Sequence, residues 1–248
     1  MMETTNGAAT TAAAPITVRR DGDIYGIDGG WFRARWHFSF DQYHDPENMG
    51  IGQMRVFNHD TLVAGAVWPM HPHKDVEGIT YVVAGEFEHA DSLGNGGVLL
   101  PGGVQRMTMG SGAHHSERNH SQRDEMQFIQ MWIMPAERGL TPSNEQKQYT
   151  EADRTNRLLR MLKPNGTDGV GVPVHQDASM YVSRLEPGRE VAHTFGEERL
   201  GYFYLISGAA TVNGERFTTG DAAKVLGAGL LAAEADETSE LILVDTPR

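Results

Sequence analysis

The chain contains no cysteine among its 248 residues. Without cysteine there can be no disulfide framework, no thiolate nucleophile, no cysteine-ligated zinc finger and no iron–sulfur cluster. A metal site in this protein must therefore use histidine, carboxylate or carbonyl ligands. The lack of cysteine also fits cytoplasmic conditions, and we expect a cytoplasmic location.

Basic residues and long apolar runs are also scarce. Lys and Arg number 21 against 33 Asp and Glu, a net charge of −12, and no basic cluster offers a surface for nucleic-acid phosphates. No apolar run approaches the roughly 20 residues that a membrane helix needs. Residues 1–15 are rich in Ala and Thr and lack the features of a secretory signal. We therefore expect neither nucleic-acid nor membrane binding, and a disordered tail over residues 1–15.

Glycine, in contrast, is abundant, and it separates short segments rich in Val, Ile, Tyr, Phe and Thr. Such segments, bounded by turns, predict an all-β protein. An order of strand, glycine turn, strand, glycine turn, strand occurs twice, with turns at Gly85 and 101–103 and again at Gly208 and 219–221. This repeat predicts two jelly-roll barrels in tandem.

One segment between the repeats has helical character. Thr150 can cap a first turn, and Leu158, Leu159 and Leu162 form an apolar stripe that stops before Pro164. We predict a linking helix over residues 151–162. The expected organisation is an N-terminal barrel over 16–165, which includes this helix, and a C-terminal barrel over 166–248.

Two pairs of potential metal ligands lie in the first unit. His71 and His73 are two residues apart, as are His115 and Glu117, and residues i and i+2 of a strand share a face. On two strands that face each other across a barrel, these side chains would form a mononuclear site for Fe, Mn, Ni, Cu or Zn. A single His-x-His pair can arise by chance among 11 histidines. Two such pairs in one β unit favour the metal site.

The segments around these pairs resemble known motifs. Gly65, followed by five residues and then His71, His73 and Glu77, resembles the first cupin motif, and residues 101–117 resemble the second motif of pirins, a two-barrel branch of the cupins. Residues 36–43 and 130–142 support the match, which is closest to bacterial pirin-like quercetin 2,3-dioxygenases. The resemblance implies two tandem cupin barrels and one divalent metal. It assigns as ligands His71, His73, His115 and Glu117.

The same resemblance implies an activity. The chain would be a metal-dependent dioxygenase that cleaves a flavonol such as quercetin with O₂, with Glu117 as the catalytic base. Iron is the first candidate metal, and Mn, Ni, Co, Cu and Zn are the others. Two alternatives stay open: a metal-binding regulatory protein that docks a transcription factor or enzyme partner, and a cupin enzyme for another small molecule.

The remaining polar positions are expected to be structural. Glu77 should support the fold or the site without binding the metal. In the second unit, the positions equivalent to the four ligands are Thr194, Gly196, Ala233 and Ala235, so we predict a C-terminal barrel without metal. The histidines without a partner at ligand spacing are predicted to be surface or hydrogen-bonded structural residues: His37, His44, His59, His89, His120 and His175.

Overall fold

The computed structural model describes residues 12–248, and nearly all of their regular structure is β. Strands form wherever short β-branched and aromatic segments are bounded by glycine turns, which confirms the all-β prediction. Only a 3₁₀ turn at Asp21–Asp23 and a helix, α1, at Glu151–Arg154 interrupt the strands of this part of the chain. Four sheets, two of seven strands and two of four, build the two barrels.

The first barrel packs a seven-stranded sheet against a four-stranded sheet. The larger sheet has the order β12-β9-β6-β11-β4-β3-β2, and the smaller one has the order β5-β10-β7-β8. The strands are β2 (Tyr25–Asp28), β3 (Phe32–Trp36), β4 (Met54–Leu62), β5 (Val67–His73), β6 (Glu77–Ala84), β7 (Phe87–Asp91), β8 (Gly96–Leu99), β9 (Gly103–Thr108), β10 (Ala113–Asn119), β11 (Met126–Ile133) and β12 (Ser143–Gln148).

The second barrel repeats this plan. Its seven-stranded sheet has the order β1-β20-β17-β22-β15-β13-β14, and its four-stranded sheet has the order β16-β21-β18-β19. The strands are β1 (Ile16–Arg19), β13 (Leu159–Pro164), β14 (Val172–Val174), β15 (Ser179–Leu185), β16 (Glu190–Phe195), β17 (Arg199–Ser207), β18 (Ala209–Val212), β19 (Glu215–Thr218), β20 (Ala222–Val225), β21 (Gly229–Ala235) and β22 (Ser239–Pro247).

The predicted linking helix over 151–162 is wrong beyond its first turn. Thr150 caps α1 through a capping box with Asp153, but the helix ends at Arg154. The chain then continues as β13, which pairs with β15 and β14. A one-turn helix has little intrinsic stability, and burial of Leu162 in the core favours the strand.

The N-terminal part of the predicted organisation also needs correction. Residues 1–11 of the predicted tail lie outside the described residues, but Ala13 bridges to Leu230 and Ala14 is buried. Close contact between the Ala14 backbone and Gly229 is possible because glycine has no side chain. β1, assigned to the first barrel, pairs with β20 of the second. The second barrel therefore takes strands from both sides of the predicted boundary at residue 165.

The two barrels differ in how their interiors are filled. The largest hydrophobic cluster lies between the two seven-stranded sheets and includes Tyr81 and Met131 from one and Tyr202 and Val244 from the other. A second cluster, which includes Phe203, fills the interior of the C-terminal barrel. In the described part of the chain, the interior of the N-terminal barrel holds only two small clusters. Space for a ligand is therefore left inside the first barrel.

The helix α1 spans four residues, and within residues 12–248 no helix is long and apolar enough to cross a membrane.

Candidate metal centre and its cavity

Three of the predicted ligands come together on two neighbouring strands. β5 and β10 pair antiparallel, with His115 opposite His71 and Ala113 opposite His73. One ring nitrogen from each of these three histidines lies within 4.8 Å of the other two. The sequence led us to expect two strands facing each other across the barrel. Instead, they are adjacent in the smaller sheet, and hydrogen bonding between them holds the rings together.

A β-bulge shapes this pair of strands. Opposite His115 lies His71, whereas opposite Glu117 lies Trp68, so two residues of β5 face one residue of β10. The bulge contains Pro69, which has no N–H to donate to a ladder. Because the bulge changes the alternation, Trp68 and His71 both line the same cavity. A strand with unbroken alternation would place them on opposite faces.

The bulge also fixes the tautomer of His71. Its Nδ1 lies 2.7 Å from the carbonyl oxygen of Pro69. A carbonyl oxygen can only accept, so Nδ1 carries a proton and donates it, and Nε2 is the nitrogen left for a metal. Metal-binding histidines commonly have their second nitrogen oriented in this way.

His115 is the most buried member of the triad, with 3% of its surface exposed. Neither ring nitrogen has a hydrogen-bond partner within residues 12–248. Burial, with smaller contributions from His71 and His73, lowers the pKa of His115 to about 2, and burial and His71 lower the pKa of His73 to about 4. Both imidazoles are therefore neutral near pH 7. Buried neutral imidazoles with unused lone pairs fit a divalent cation.

Glu117 borders the triad but does not belong to the group of mutually close ligand atoms. Its Oε1 lies 3.6 Å from His115 Nδ1, and only 5% of the residue is exposed. Burial raises the pKa of this carboxyl to about 8. A cation at the triad would favour the charged carboxylate and oppose this shift.

A buried polar cluster lies next to His115. The ring of His89 lies 5.8 Å from that of His115, measured between centroids. His89 is in turn held by side chains from three strands or loops, at 3.0–3.1 Å: Asp91, Gln105 and Asn144. In the sequence only the spacing of two residues between His89 and Asp91 indicates this cluster, because Gln105 and Asn144 lie far from them in the chain.

Glu77, predicted to have a supporting role, lies in the other sheet of the barrel, on β6. It is fully buried and accepts hydrogen bonds of 2.7 Å from the Thr108 hydroxyl and from the backbone N–H of His175. Glu77 therefore ties the first barrel to the segment that leads into β15 of the second.

Other histidines also make structural contacts. His37 and His59 hydrogen-bond through Nδ1 to Tyr202 and Tyr204 at 2.7 and 2.8 Å, across the interface between the barrels. On the surface, His120 pairs with Glu88 at 2.9 Å, and His44 is exposed.

The second barrel places small or apolar groups at the positions that correspond to the ligands. Ala233 and Ala235 belong to the apolar cluster in its interior. A void beside Ala233 measures about 10 Å³, which is at the lower limit of what one water molecule needs. His193 is engaged with Asp245 at 2.7 Å.

A cavity of about 690 Å³ opens beside the triad. Its volume lies in the range of small-molecule sites. The ring of Trp132 lies 4.8 Å from that of His73, measured between centroids. Six aromatic side chains line the cavity: Phe32, Trp36, Phe40, Trp68, Phe128 and Trp132. The arrangement suits a flat, largely apolar molecule that reaches a metal at its polar end.

Comparison with known proteins agrees with this architecture. Residues 18–133 match the Pirin family model, and residues 161–246 match the model of the quercetinase C-terminal cupin domain. A pirin-like protein of Caulobacter vibrioides is 36% identical over 220 residues, which cover 89% of this chain and 94% of that protein. The chain belongs to the pirin family. The predicted pair of cupin barrels is thereby confirmed.

Other members of the pirin family are similar over nearly the whole chain. Quercetin 2,3-dioxygenase of Escherichia coli K12 is 37% identical over 233 residues, 94% of this chain and 99% of that protein. The crystal structure of the bacterial pirin YhhW from Escherichia coli in complex with nickel(II) superimposes with a TM-score of 0.87 at 35% identity. That match covers 94% of this chain and 99% of YhhW.

Proposed function

We propose that this pirin-family chain is a metal-dependent dioxygenase that cleaves a flavonol such as quercetin with O₂. The observation that carries the proposal is the position of three convergent imidazoles on the wall of an aromatic cavity of about 690 Å³. The name of the Escherichia coli relative, quercetin 2,3-dioxygenase, supports the choice of reaction. The substrates would be one flavonol and one O₂, and the products a ring-opened ester and carbon monoxide.

The residues that would hold the metal are His71, His73 and His115, with Glu117 completing the set. The shielded nitrogens of His115, which have no partner within residues 12–248, fit this role. A set of three imidazoles and one carboxylate suits several divalent ions. Iron is our first candidate, with Mn, Ni, Co, Cu and Zn as the others, and a related pirin has been crystallised with nickel.

When bound, a redox-capable metal would supply Lewis acidity and electron transfer to O₂. The chain itself would orient the flavonol between the aromatic walls, with its 3-hydroxyl toward the triad. A carboxylate oxygen of Glu117 would accept the proton of that hydroxyl as general base. The aromatic walls would exclude water from the reacting atoms.

The proposal is tested by loading purified, metal-stripped protein separately with Fe, Mn, Ni, Co and Cu and following the loss of quercetin absorbance under O₂. At least one metal should support turnover, and Glu117→Gln should lower kcat by about 100-fold, in the range expected for a general base. Glu197→Gln changes an exposed glutamate of the second barrel and serves as the matched control. Turnover no faster than with free metal for every loaded form would refute the proposed reaction.

Metal binding is tested separately by elemental analysis. His115→Gln should lose bound metal, because the ring it replaces lies 4.5 and 5.1 Å from the rings of His71 and His73, measured between centroids. Metal content equal to that of the parent would contradict the assigned ligand set.

A further inference from the structure

The cavity has a polar wall in addition to its aromatic ones. Asn58 and Asp60 lie on β4, and Gln130 lies opposite Asn58 on the neighbouring strand β11. All three side chains line the cavity. They belong to the larger sheet, whereas the histidine triad belongs to the smaller one. We call Asn58, Asp60 and Gln130 the polar strip.

The polar strip is buried and short of partners. The exposed fractions of Asn58, Asp60 and Gln130 are 2%, 6% and 8%. Within residues 12–248 the Asn58 Oδ1 atom is shielded from solvent without a hydrogen bond. Buried polar groups in folded proteins are nearly always paired, so buried side chains on a cavity wall whose hydrogen-bonding groups are not all paired indicate a ligand.

Only one end of the Gln130 side-chain amide is available to a ligand. Its Oε1 accepts a hydrogen bond of 2.7 Å from the Thr80 hydroxyl. Its Nε2 is therefore the end left to donate to a ligand. The strip thus offers acceptor oxygens on Asp60 and a donor on Gln130, which together match hydroxyl groups, since a hydroxyl both donates and accepts.

The strip and Glu117 line the same cavity. Asp60 lies opposite Phe128 in the sheet, and Phe32 and Trp68 pack edge to face on another wall of the cavity. One flat ligand can therefore touch the triad, the aromatic walls and the strip at once.

We propose that the polar strip binds ring hydroxyl groups of the substrate and makes the enzyme selective for polyhydroxylated flavonols. This inference rests on the proposed function. A flavonol without hydroxyls on its pendant ring would leave the strip unpaired after water is displaced, and sites built around buried polar groups reject ligands that cannot pair with them.

The test compares three flavonols that have no, one or two hydroxyls on the pendant ring: galangin, kaempferol and quercetin. With the parent holoenzyme, kcat/KM should rise by about 10-fold or more from galangin to quercetin, as hydrogen bonds to a buried site predict. In Asp60→Leu this preference should disappear, mainly through KM for quercetin. Asp60→Asn, which can still hydrogen-bond, should restore part of it.

Two controls separate binding from folding. Asp168→Leu makes the same change at an exposed position of the second barrel and should leave the preference intact. Metal content and melting temperature identify any variant that fails to fold. Should Asp60→Leu be such a variant, Asn58→Leu and Asp60→Asn are compared with the parent in its place.

The inference is overturned by equal kcat/KM for the three flavonols in the parent, or by variants that slow all three by one common factor. Binding of each flavonol to the metal-loaded protein is also measured without O₂, by quenching of tryptophan fluorescence. This measurement tests the polar strip separately from the proposed reaction. No turnover together with tighter binding of quercetin that is lost in Asp60→Leu would refute the reaction but support the strip. Equal Kd values for the three flavonols would refute the strip.

Discussion

Acidification should weaken this protein at the interface between its barrels, where His59 lies. His59 Nδ1 is 2.8 Å from the Tyr204 hydroxyl of the second barrel. Its Nε2 is shielded and has no partner within residues 12–248. Burial lowers the pKa of His59 from 6.5 to about 4. Protonation of His59 in the folded protein therefore costs free energy.

The sign of the effect follows from these two pKa values. Below about pH 6.5 the unfolded chain binds a proton at His59 and the folded chain does not, so stability falls as the pH falls, until about pH 4. The loss is about 1.4 kcal/mol per pH unit between the two values, so at pH 5 it amounts to about 2 kcal/mol.

The assay is urea unfolding of the parent and of His59→Gln at pH 7 and pH 5. Other buried groups also titrate, and the raised pKa of Glu117 acts in the opposite direction. The quantity to compare is therefore the difference between parent and variant at each pH. Between pH 7 and pH 5 this difference should move by about 2 kcal/mol in favour of the variant.

His44→Gln, at an exposed position, is the matched control and should follow the parent at both pH values. A difference between the parent and His59→Gln that is the same at both pH values would refute the assignment of a buried, neutral His59.

Three further substitutions test the packing. Glu77→Ala should lower the free energy of unfolding in urea by about 3 kcal/mol, because hydrogen-bond donors such as the Thr108 hydroxyl lose their buried acceptor. A change near zero would contradict the role of Glu77 between the barrels. Gly110→Ala should cost more than about 2 kcal/mol, since Gly110 has a positive φ of 45° and its added Cβ would collide with the Leu140 carbonyl; an unchanged melting temperature would contradict this. Phe217→Ala should cost about 3–5 kcal/mol, since Phe217 is fully buried in the second barrel. The metal content per folded chain should not change. Loss of metal from folded protein would show coupling between the barrels.

The sequence was most informative where a strand keeps its regular period. Alternation alone places His71 and His73 on one face, and the structure brings both to His115. It could not show the bulge at Pro69, because register depends on the partner strand. It also could not show that Asn58 and Asp60 line a cavity, since alternating polar residues are typical of a face in water.

The misassigned helix has a similar cause. Leu158, Leu159 and Leu162 have helical spacing, but Leu162 is buried in the cluster between the barrels as part of β13. Local spacing carries no information about such distant neighbours. The same holds for β1, whose partner β20 lies near the other end of the chain.

The pairing of β1 with β20 makes the second barrel depend on a segment that precedes the first barrel in the chain. Ile16 lies opposite Val225, so β1 stays without its partner until synthesis has reached β20. Such long-range pairing slows folding. A fragment cut between the barrels would leave the edge of β20 exposed, and exposed edges favour aggregation. A C-terminal barrel produced on its own should therefore carry residues 12–19 as an added strand. Loss of this segment by proteolysis from the full chain would weaken the second barrel.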